Sequence, residues 1–352
     1  MLKKNKKNLL IIIAALVMIM GFSFTNVQAA SIKRMNGKNR VDTANKTAIE
    51  VFKKSESAIL VNGTRYPDAV SAAPLSRLEN APILMTMNGG NLEKEVMDTL
   101  NTISAKKVYI IGSAGVVSSQ IENQLKAKGF QVIRYAGPNR YDTNIEVAKV
   151  ILAKTNAKTA FLVNAGESYA DAISVTTIAA TKGYPILFAN LREVPTVVKK
   201  FATDNKLEVL AVGSSGILPN KVVSSVKGTR ITPDDKAKNR FQTNLTLLEY
   251  FKKDLDFSKV YVAMGGYTGG DGETKFADAL VGSAAASKIG APLVLNGVGS
   301  GPKEMENAEK FIVDNIEAEG ELYIIGSSAV VSDDIEQRLD EKVGDFRILD
   351  IF

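Results

Sequence analysis

The chain repeats itself three times, and this repetition constrains its fold more than any other feature. The pair Asn-Arg recurs at 39–40, 139–140 and 239–240. Three further blocks follow each pair in the same order: an Asp-Ala block (YPDAVSAAPL, YADAISVTTIAA, FADALVGSAAA), a Pro-containing apolar segment (APIL, YPIL, APLVL) and an apolar run ending in Gly-Ser (KVYIIGS, EVLAVGS, ELYIIGS). Such self-similarity is typical of arrays in which each repeat is one structural module.

The repeats divide the chain into an N-terminal segment and three modules. We assign residues 1–29 to the segment and residues 30–129, 130–229 and 230–352 to modules one, two and three. Because no Pro-rich or Ser-rich linker separates the modules, we expect them to pack against one another.

Each module has the pattern of an α/β unit. Helical periodicity follows the Asn-Arg pair, a short apolar strand comes next, and the Asp-Ala block opens an Ala-rich helix whose small residues permit close packing. Further strands and helices alternate, and a strand around Val132-Ile133 is predicted to close the first unit. Ser119 with Glu122, and Asp333 with Glu336, resemble capping boxes of the last helix. Continuous apolar strands alternating with helices predict parallel sheets covered on both faces.

The N-terminal segment has the pattern of a secretory signal peptide. Four lysines precede an apolar run from Leu9 to Met20, and Val27-Gln28-Ala29 supplies residues suited to cleavage after Ala29. The alternative is an uncleaved membrane anchor, but the run is short for a spanning helix, which needs about 20 residues. Without the segment the chain has 40 basic and 38 acidic residues, a net charge of +2. That balance does not support a nucleic-acid-binding protein.

The composition excludes several classes of chemistry. The sequence contains no Cys, no His and no Trp. Disulfides, thiolate nucleophiles and Ser-His-Asp or Cys-His arrangements are therefore excluded, and zinc sites are disfavoured. We predict no cofactor and no metal. The acidic residues show no recurring spacing like that of glycosidase carboxylates.

The motifs NRYDT, YADA and IIGS, in three tandem modules behind a signal peptide, resemble the cell wall binding repeat type 2 family of clostridia and related Gram-positive bacteria. The resemblance implies three Toprim-like α/β modules packed with pseudo-threefold symmetry. It also implies noncovalent attachment to an anionic secondary polymer of the cell wall, a polysaccharide or a teichoic-acid-like chain. The expected location is the cell wall or surface layer, with other surface-layer proteins as further partners and no membrane span in the mature form. Many members carry an additional enzymatic or adhesive region, and we expect none in this chain.

The recurring arginines are candidate ligands of the polymer. A guanidinium matches phosphate and carboxylate groups and is always charged. The alternative is structural, with each arginine paired to Asp42 or Asp142 nearby or to the Asp of the Asp-Ala block, joining module to module. In module three Gln242 stands at the position of Asp42 and Asp142. The candidates are Arg40, Arg140 and Arg240.

The aspartates of the Asp-Ala block have two interpretations as well. An Asp in the first helical turn satisfies open backbone N–H groups and the helix dipole. It is alternatively an arginine partner or a contact to a ligand hydroxyl. The candidate binding residues are Asp68, Asp171 and Asp278.

Two features that contain glycine are also candidates for phosphate binding. The Gly-Ser turns at 112–113, 213–214 and 326–327 either bind phosphate through backbone N–H groups or reflect a tight turn that needs glycine. The segment 265–276 lacks the Gly-Lys-Ser/Thr ending of a P-loop. We interpret it as a mobile loop inserted in module three.

Cell wall binding without an effector domain is the function that these observations favour, and we predict that the chain is not an enzyme. The alternatives are a wall-remodelling amidase or glycosidase that uses carboxylates, and a structural or adhesive component of the surface layer.

Overall fold

The three repeats fold into three four-stranded parallel sheets covered by helices. The computed structural model describes residues 30–87, 90–165, 170–268 and 274–349. The strands are β1 Ser31–Met35, β2 Ser57–Asn62, β3 Ile83–Thr86, β4 Lys107–Ile111, β5 Gln131–Tyr135, β6 Thr159–Asn164, β7 Ile186–Ala189, β8 Glu208–Ala211, β9 Thr229–Arg230, β10 Lys259–Ala263, β11 Tyr267–Thr268, β12 Thr274–Lys275, β13 Leu293–Leu295 and β14 Glu321–Ile325.

The helices lie between the strands, as the alternating pattern predicts. They are α1 Arg40–Thr47, which continues as a π-helical turn Ala48–Phe52, α2 Tyr66–Val70, α3 Ala73–Leu78, α4 Lys94–Thr102, α5 Ser119–Ala127, α6 Arg140–Thr155, α7 Ala170–Lys182, α8 Thr196–Asp204, α9 Asn220–Ser224, α10 Arg240–Tyr250, α11 Ala277–Ser287, α12 Pro302–Asn315 and α13 Asp333–Leu349; a 3-10 turn spans Lys252–Asp254.

The burial of the strands explains why the sheets are parallel and lie between helices. All six residues of β2 are buried. A strand buried on both faces has to be covered by helices on both sides, and the connections between its parallel neighbours supply them. The prediction of an α/β fold with parallel sheets is confirmed.

Each sheet is completed by a strand that precedes the Asn-Arg pair of the next repeat. The orders are β3-β2-β4-β5, β7-β6-β8-β9 and β13-β10-β14-β1. The predicted closing strand around Val132-Ile133 is β5, which pairs in parallel with β4. The N-terminal strand β1 pairs with β14, from Ser31 opposite Glu321 to Met35 opposite Ile325. The first and last parts of the described chain therefore close a ring.

Three Ala-rich helices form the centre of this ring. Helices α3, α7 and α11 contact one another pairwise. All three contain residues with little or no side chain beyond Cβ, among them Ala73, Ala179 and Ala284, all buried. Small side chains let helix axes approach closely, which is what three helices meeting around an axis require. The predicted pseudo-threefold packing is confirmed.

The strand that completes each sheet carries a second recurring arginine. In the first and third sheets this arginine bonds a glutamate of the helix that precedes the strand around the ring. Arg34 Nε donates to Glu336 Oε2 at 2.8 Å, and Arg134 Nε donates to Glu122 Oε2 at 2.7 Å. The predicted capping boxes are wrong, because the glutamates pair with these arginines and the caps are one residue earlier. The N–H of Ile121 donates to the hydroxyl of Ser118, and the N–H of Ile335 donates to that of Ser332, both at 3.3 Å.

Two predicted segments fall wholly or partly outside the described residues. The signal peptide, residues 1–29, is one of them. The inserted loop is the other: β11 and β12 pair as an antiparallel ribbon, and residues 269–273 between them are not described. Among the residues that the structure describes, no helix is both long enough and apolar enough to cross a bilayer.

Candidate functional site

The Asn-Arg pair begins a helix in every module. The asparagine is the N-cap, with extended backbone, and its side-chain oxygen accepts a hydrogen bond from a first-turn N–H. The arginine is the first helical residue, and its guanidinium reaches the carbonyl that follows the neighbouring strand. Arg40 Nη1 donates to Gly63 O at 2.6 Å, and Arg140 Nη1 donates to Ala165 O at 2.9 Å.

The third arginine has additional contacts to the inserted segment. Arg240 Nη1 donates to Gly265 O at 3.1 Å and also to Gly266 O. Its guanidinium carbon lies 5.7 Å from the centre of the Phe276 ring, within the range of a cation–π interaction. The three arginines therefore share a position at the carboxyl ends of the strands but not an identical environment.

Each aspartate lies in the first turn of its helix. Its carboxylate lies against the glycine of the Gly-Ser turn in the same module. A Cβ on Gly213 would lie 2.7 Å from Asp171 Oδ2, and one on Gly326 would lie 2.7 Å from Asp278 Oδ2. Both glycines also have positive φ, 109° and 112°. The turn needs glycine for its backbone and for the carboxylate beside it.

The aspartate of one module faces the arginine of the next. Arg140 of module two acts electrostatically on Asp68 of module one. The other two pairs follow the same cyclic order: Arg240 acts on Asp171, and Arg40 acts on Asp278. The helices carrying these residues also pack across the interfaces, α2 on α6, α7 on α10 and α11 on α1. The structure thus brings the six candidate residues together as three pairs, one at each interface.

Burial dominates the electrostatics of these pairs. It raises the pKa of Asp68 to about 6, and the positive charges of Arg140 and then Arg65 lower that pKa in part. Burial likewise raises the pKa of Asp278 to about 6, with Arg40 as the opposing charge. The pKa of Asp171 is raised by the same cause, against a hydrogen bond from Thr243. With pKa values of about 6, Asp68 and Asp278 are mostly ionised at neutral pH, at a cost that the neighbouring arginine reduces.

These pKa values predict that mild acid stabilises the protein. A carboxyl whose pKa is 3.8 when unfolded and about 6 when folded binds its proton more tightly in the folded state, so the free energy of unfolding rises as pH falls from about 6.5 to 4.5. Each such shift corresponds to roughly 2–3 kcal/mol. Carboxylates with lowered pKa values, such as Glu321 at about 2, act only at lower pH. Urea unfolding at pH 7 and pH 5 tests this, and a lower unfolding free energy at pH 5 would contradict it.

The structural alternative pairs Arg40 with the nearby Asp42, but the contacts of Asp42 are to other groups. It accepts a hydrogen bond from Lys38 N at 2.9 Å and pairs with Lys46 Nζ at 3.4 Å. In module three Gln242 Oε1 accepts the equivalent bond from Lys238 N at 3.2 Å. The side chain at this position therefore holds the loop before the helix, and either a carboxylate or an amide oxygen can accept the hydrogen bond.

Charge is distributed unequally among the modules, which the near-neutral total conceals. Residues 30–129 contain 14 Lys and Arg against 9 Asp and Glu, and residues 130–229 contain 12 against 7. Residues 230–352 contain 14 against 22. The interface between modules one and two is therefore flanked by two basic modules, and it also carries the exposed Arg65, which the repeat analysis did not single out. Counting charges module by module would have found it.

Within the described residues, no group of three or more acidic side chains is arranged as a metal site. The recurring chemistry of the chain is that of charged and polar donors and acceptors at module interfaces.

Comparison with known protein families identifies the family of this chain. The profile of cell wall binding domain 2 matches residues 34–122, 134–223 and 236–336. The chain belongs to the CWB2 family. Each match begins at or before the Asn-Arg helix and reaches the last helix of its module, so the three CWB2 domains coincide with the three repeats.

Related proteins contain CWB2-like chains as parts of longer sequences. This chain is 32% identical over 315 residues to the N-acetylmuramoyl-L-alanine amidase LytC of Bacillus subtilis, covering 89% of this chain and 59% of the amidase. It is 27% identical over 318 residues to the amidase enhancer of the same organism, covering 90% of this chain and 41% of that protein. In structure it is similar to Cwp8 from Clostridium difficile, with a TM-score of 0.75 and 28% identity over 90% of this chain and 52% of Cwp8. The chain thus spans between two and three fifths of each relative.

Proposed function

We propose that the protein is secreted and attaches noncovalently to an anionic secondary polymer of the Gram-positive cell wall, with its three CWB2 domains acting as one binding unit. Membership of a cell wall binding family supports attachment to the wall. Secretion rests on the pattern of the N-terminal segment. The amidase activity named for LytC belongs to that protein, and our proposal assigns no catalytic step to this chain.

The observation that carries the proposal is the repeated convergence of an arginine, an aspartate and a Gly-Ser turn at the carboxyl ends of the strands. That edge is where open parallel sheets bind ligands, because loops and helix N-termini converge there. Guanidinium groups suit phosphate or carboxylate groups of a polymer. Three such interfaces on one rigid ring engage a repeating chain with the advantage of high effective concentration.

The distribution of charge favours the interface between modules one and two as the strongest contact with the polymer. It lies between the two basic modules, whereas the acidic third module repels a polyanion at the other two interfaces. Arg65 is suited to a contact at the rim of this interface, since it is exposed and close enough to Asp68 to affect its pKa.

Cosedimentation with purified walls tests the proposal. We expect the protein to bind walls, to bind far less after chemical removal of the secondary polymers, and to be released by raising the salt from about 0.05 to 0.5 M, because screening weakens accessible charge contacts. We expect Arg65→Ala to weaken binding about 2–5-fold, the effect of one exposed charge contact of up to about 1 kcal/mol. Lys94→Ala, which removes an exposed lysine of module one elsewhere, is the matched control.

Two results would count against the proposal. Undiminished binding to walls stripped of secondary polymers would exclude the polymer as ligand. Release of reducing sugars or free amines during the incubation would favour the wall-remodelling alternative over binding alone.

A further inference from the structure

The three module interfaces have a second set of equivalent positions, near the opposite ends of the strands. Position 52, 154 or 254 lies five residues before the strand that follows the Asn-Arg helix, and position 79, 182 or 289 lies three residues before the repeated proline. These two positions meet across the interface. Between modules one and two, Lys154 Nζ lies 2.8 Å from Glu79 Oε1. Between modules two and three, Lys182 Nζ lies 2.6 Å from Asp254 Oδ1.

The third interface, where the ring closes, lacks this ion pair. Module one has two residues fewer between the arginine and its strand, so the equivalent residues there are Phe52 and Ile289, and neither is acidic. A cavity of about 370 Å³ lies at this interface instead. Its charged lining residues are Lys33, Glu50, Lys53, Lys259, Lys288 and Glu321.

The lining has an excess of positive charge. Glu321 is already shared, since its Oε1 lies 2.5 Å from Lys33 Nζ and its Oε2 pairs with Lys259. The other two lysines have no carboxylate partner among the described residues. Lys288 donates to the carbonyl of Val51 at 2.8 Å and lies over the ring of Phe52, and burial together with Lys259 and Lys53 lowers its pKa. Four lysines thus face two glutamates.

We propose that this cavity binds a phosphate-class anion, which supplies at the closing interface the negative charge that Glu79 and Asp254 supply at the other two. The lysines come from β1, from the turn after the π-helical segment of module one, and from β10 and the C-cap of α11 in module three, so a bound phosphate joins the N-terminal strand to both modules. The source is either free phosphate or a phosphate group of the wall polymer. This site is separate from the aspartate–arginine pairs and does not depend on their binding polymer.

Thermal unfolding of the full chain with inorganic phosphate, compared with sodium chloride at equal ionic strength, tests the site. At a phosphate concentration about ten times Kd we expect the melting temperature to rise by roughly 2–4 °C over the chloride control. Lys54→Ala removes a neighbouring exposed lysine that does not line the cavity, and this control is expected to respond like the native chain. The pair Lys53→Ala with Lys288→Gln is expected to lose the response.

A single substitution gives a second test, should the double variant fold poorly. Lys53 is exposed, and Lys53→Glu places a carboxylate beside Lys288. We expect this variant to melt higher than the native chain in chloride and to gain nothing from phosphate. A native chain that responds equally to phosphate and chloride, or a Lys53→Glu variant that responds as the native chain does, would overturn the proposal.

Wall cosedimentation of Lys53→Glu identifies the source once phosphate binding is seen. Unchanged wall binding assigns the cavity to free phosphate, and weakened binding assigns it to phosphate groups of the polymer. The proposed function is judged independently by Arg65→Ala, which lies at a different interface, so either proposal can fail without the other.

Discussion

Replacing Arg140 by alanine is expected to destabilise the protein by about 3 kcal/mol at pH 8 and by clearly less at pH 5. The substitution leaves Asp68 buried without its opposing charge and removes the hydrogen bond to Ala165 O. Breaking one side of a buried pair costs about 3–5 kcal/mol when the remaining group stays charged. At pH 5 Asp68 is protonated in the folded state, because its pKa is about 6, and the electrostatic part of the cost disappears.

Two further variants separate this charge effect from lost packing. Asp68→Asn in the Arg140→Ala background removes the buried charge, so it should restore much of the stability at pH 8. Arg65→Ala removes the exposed second arginine near Asp68 and is expected to cost no more than about 1 kcal/mol. Urea unfolding measures all four chains. A cost for Arg140→Ala that is equal at both pH values, with no restoration by Asp68→Asn, would show that the pair does not hold a buried charge.

Removal of the N-terminal strand is expected to have the larger effect on stability. A chain that begins at Asn36 lacks β1, the edge strand of the third sheet. It loses the bonds from Arg34 to Glu336, to Gly326 O at 3.1 Å and to Val331 O at 2.9 Å, as well as the buried Met35. Hydrogen bonds of charged groups contribute roughly 1.5–3 kcal/mol each, so we expect a loss of at least about 5 kcal/mol.

Hydrogen exchange locates this effect. Amides of β14 should lose protection first, because β1 pairs along its whole length, whereas amides of the first two sheets should keep theirs. A peptide of residues 30–36, added in excess, should restore protection by adding the missing strand. The same peptide with Arg34→Ala is the matched control and should restore less. If the shortened chain melts within about 2 °C of the full one, β1 does not close the ring energetically.

The repeated sequence alone determined the modules, the strands and the family of this protein. Four blocks in constant order predicted three modules, and apolar runs such as Ala58–Val61 and Val108–Ile111 predicted buried parallel strands, which are found at β2 and β4. The NRYDT, YADA and IIGS motifs indicated the CWB2 family, and the profile match shows it. These inferences succeed because burial periodicity and turn chemistry are local properties of a sequence.

The pairing of residues between modules was decided only by the tertiary structure. Repeats that share the same motifs cannot show whether Asp68 faces the arginine of its own module or that of the next, since both arrangements use the same residue types. Nor do they show that Ser31–Met35 pairs with Glu321–Ile325, at the other end of the described chain. The aspartate–arginine pairs, the arginines that hold the edge strands and the lysine-lined cavity all arise from closing the ring. Ring closure brings together side chains such as Arg40 and Asp278, which are far apart in the chain, and local sequence patterns carry no record of such contacts.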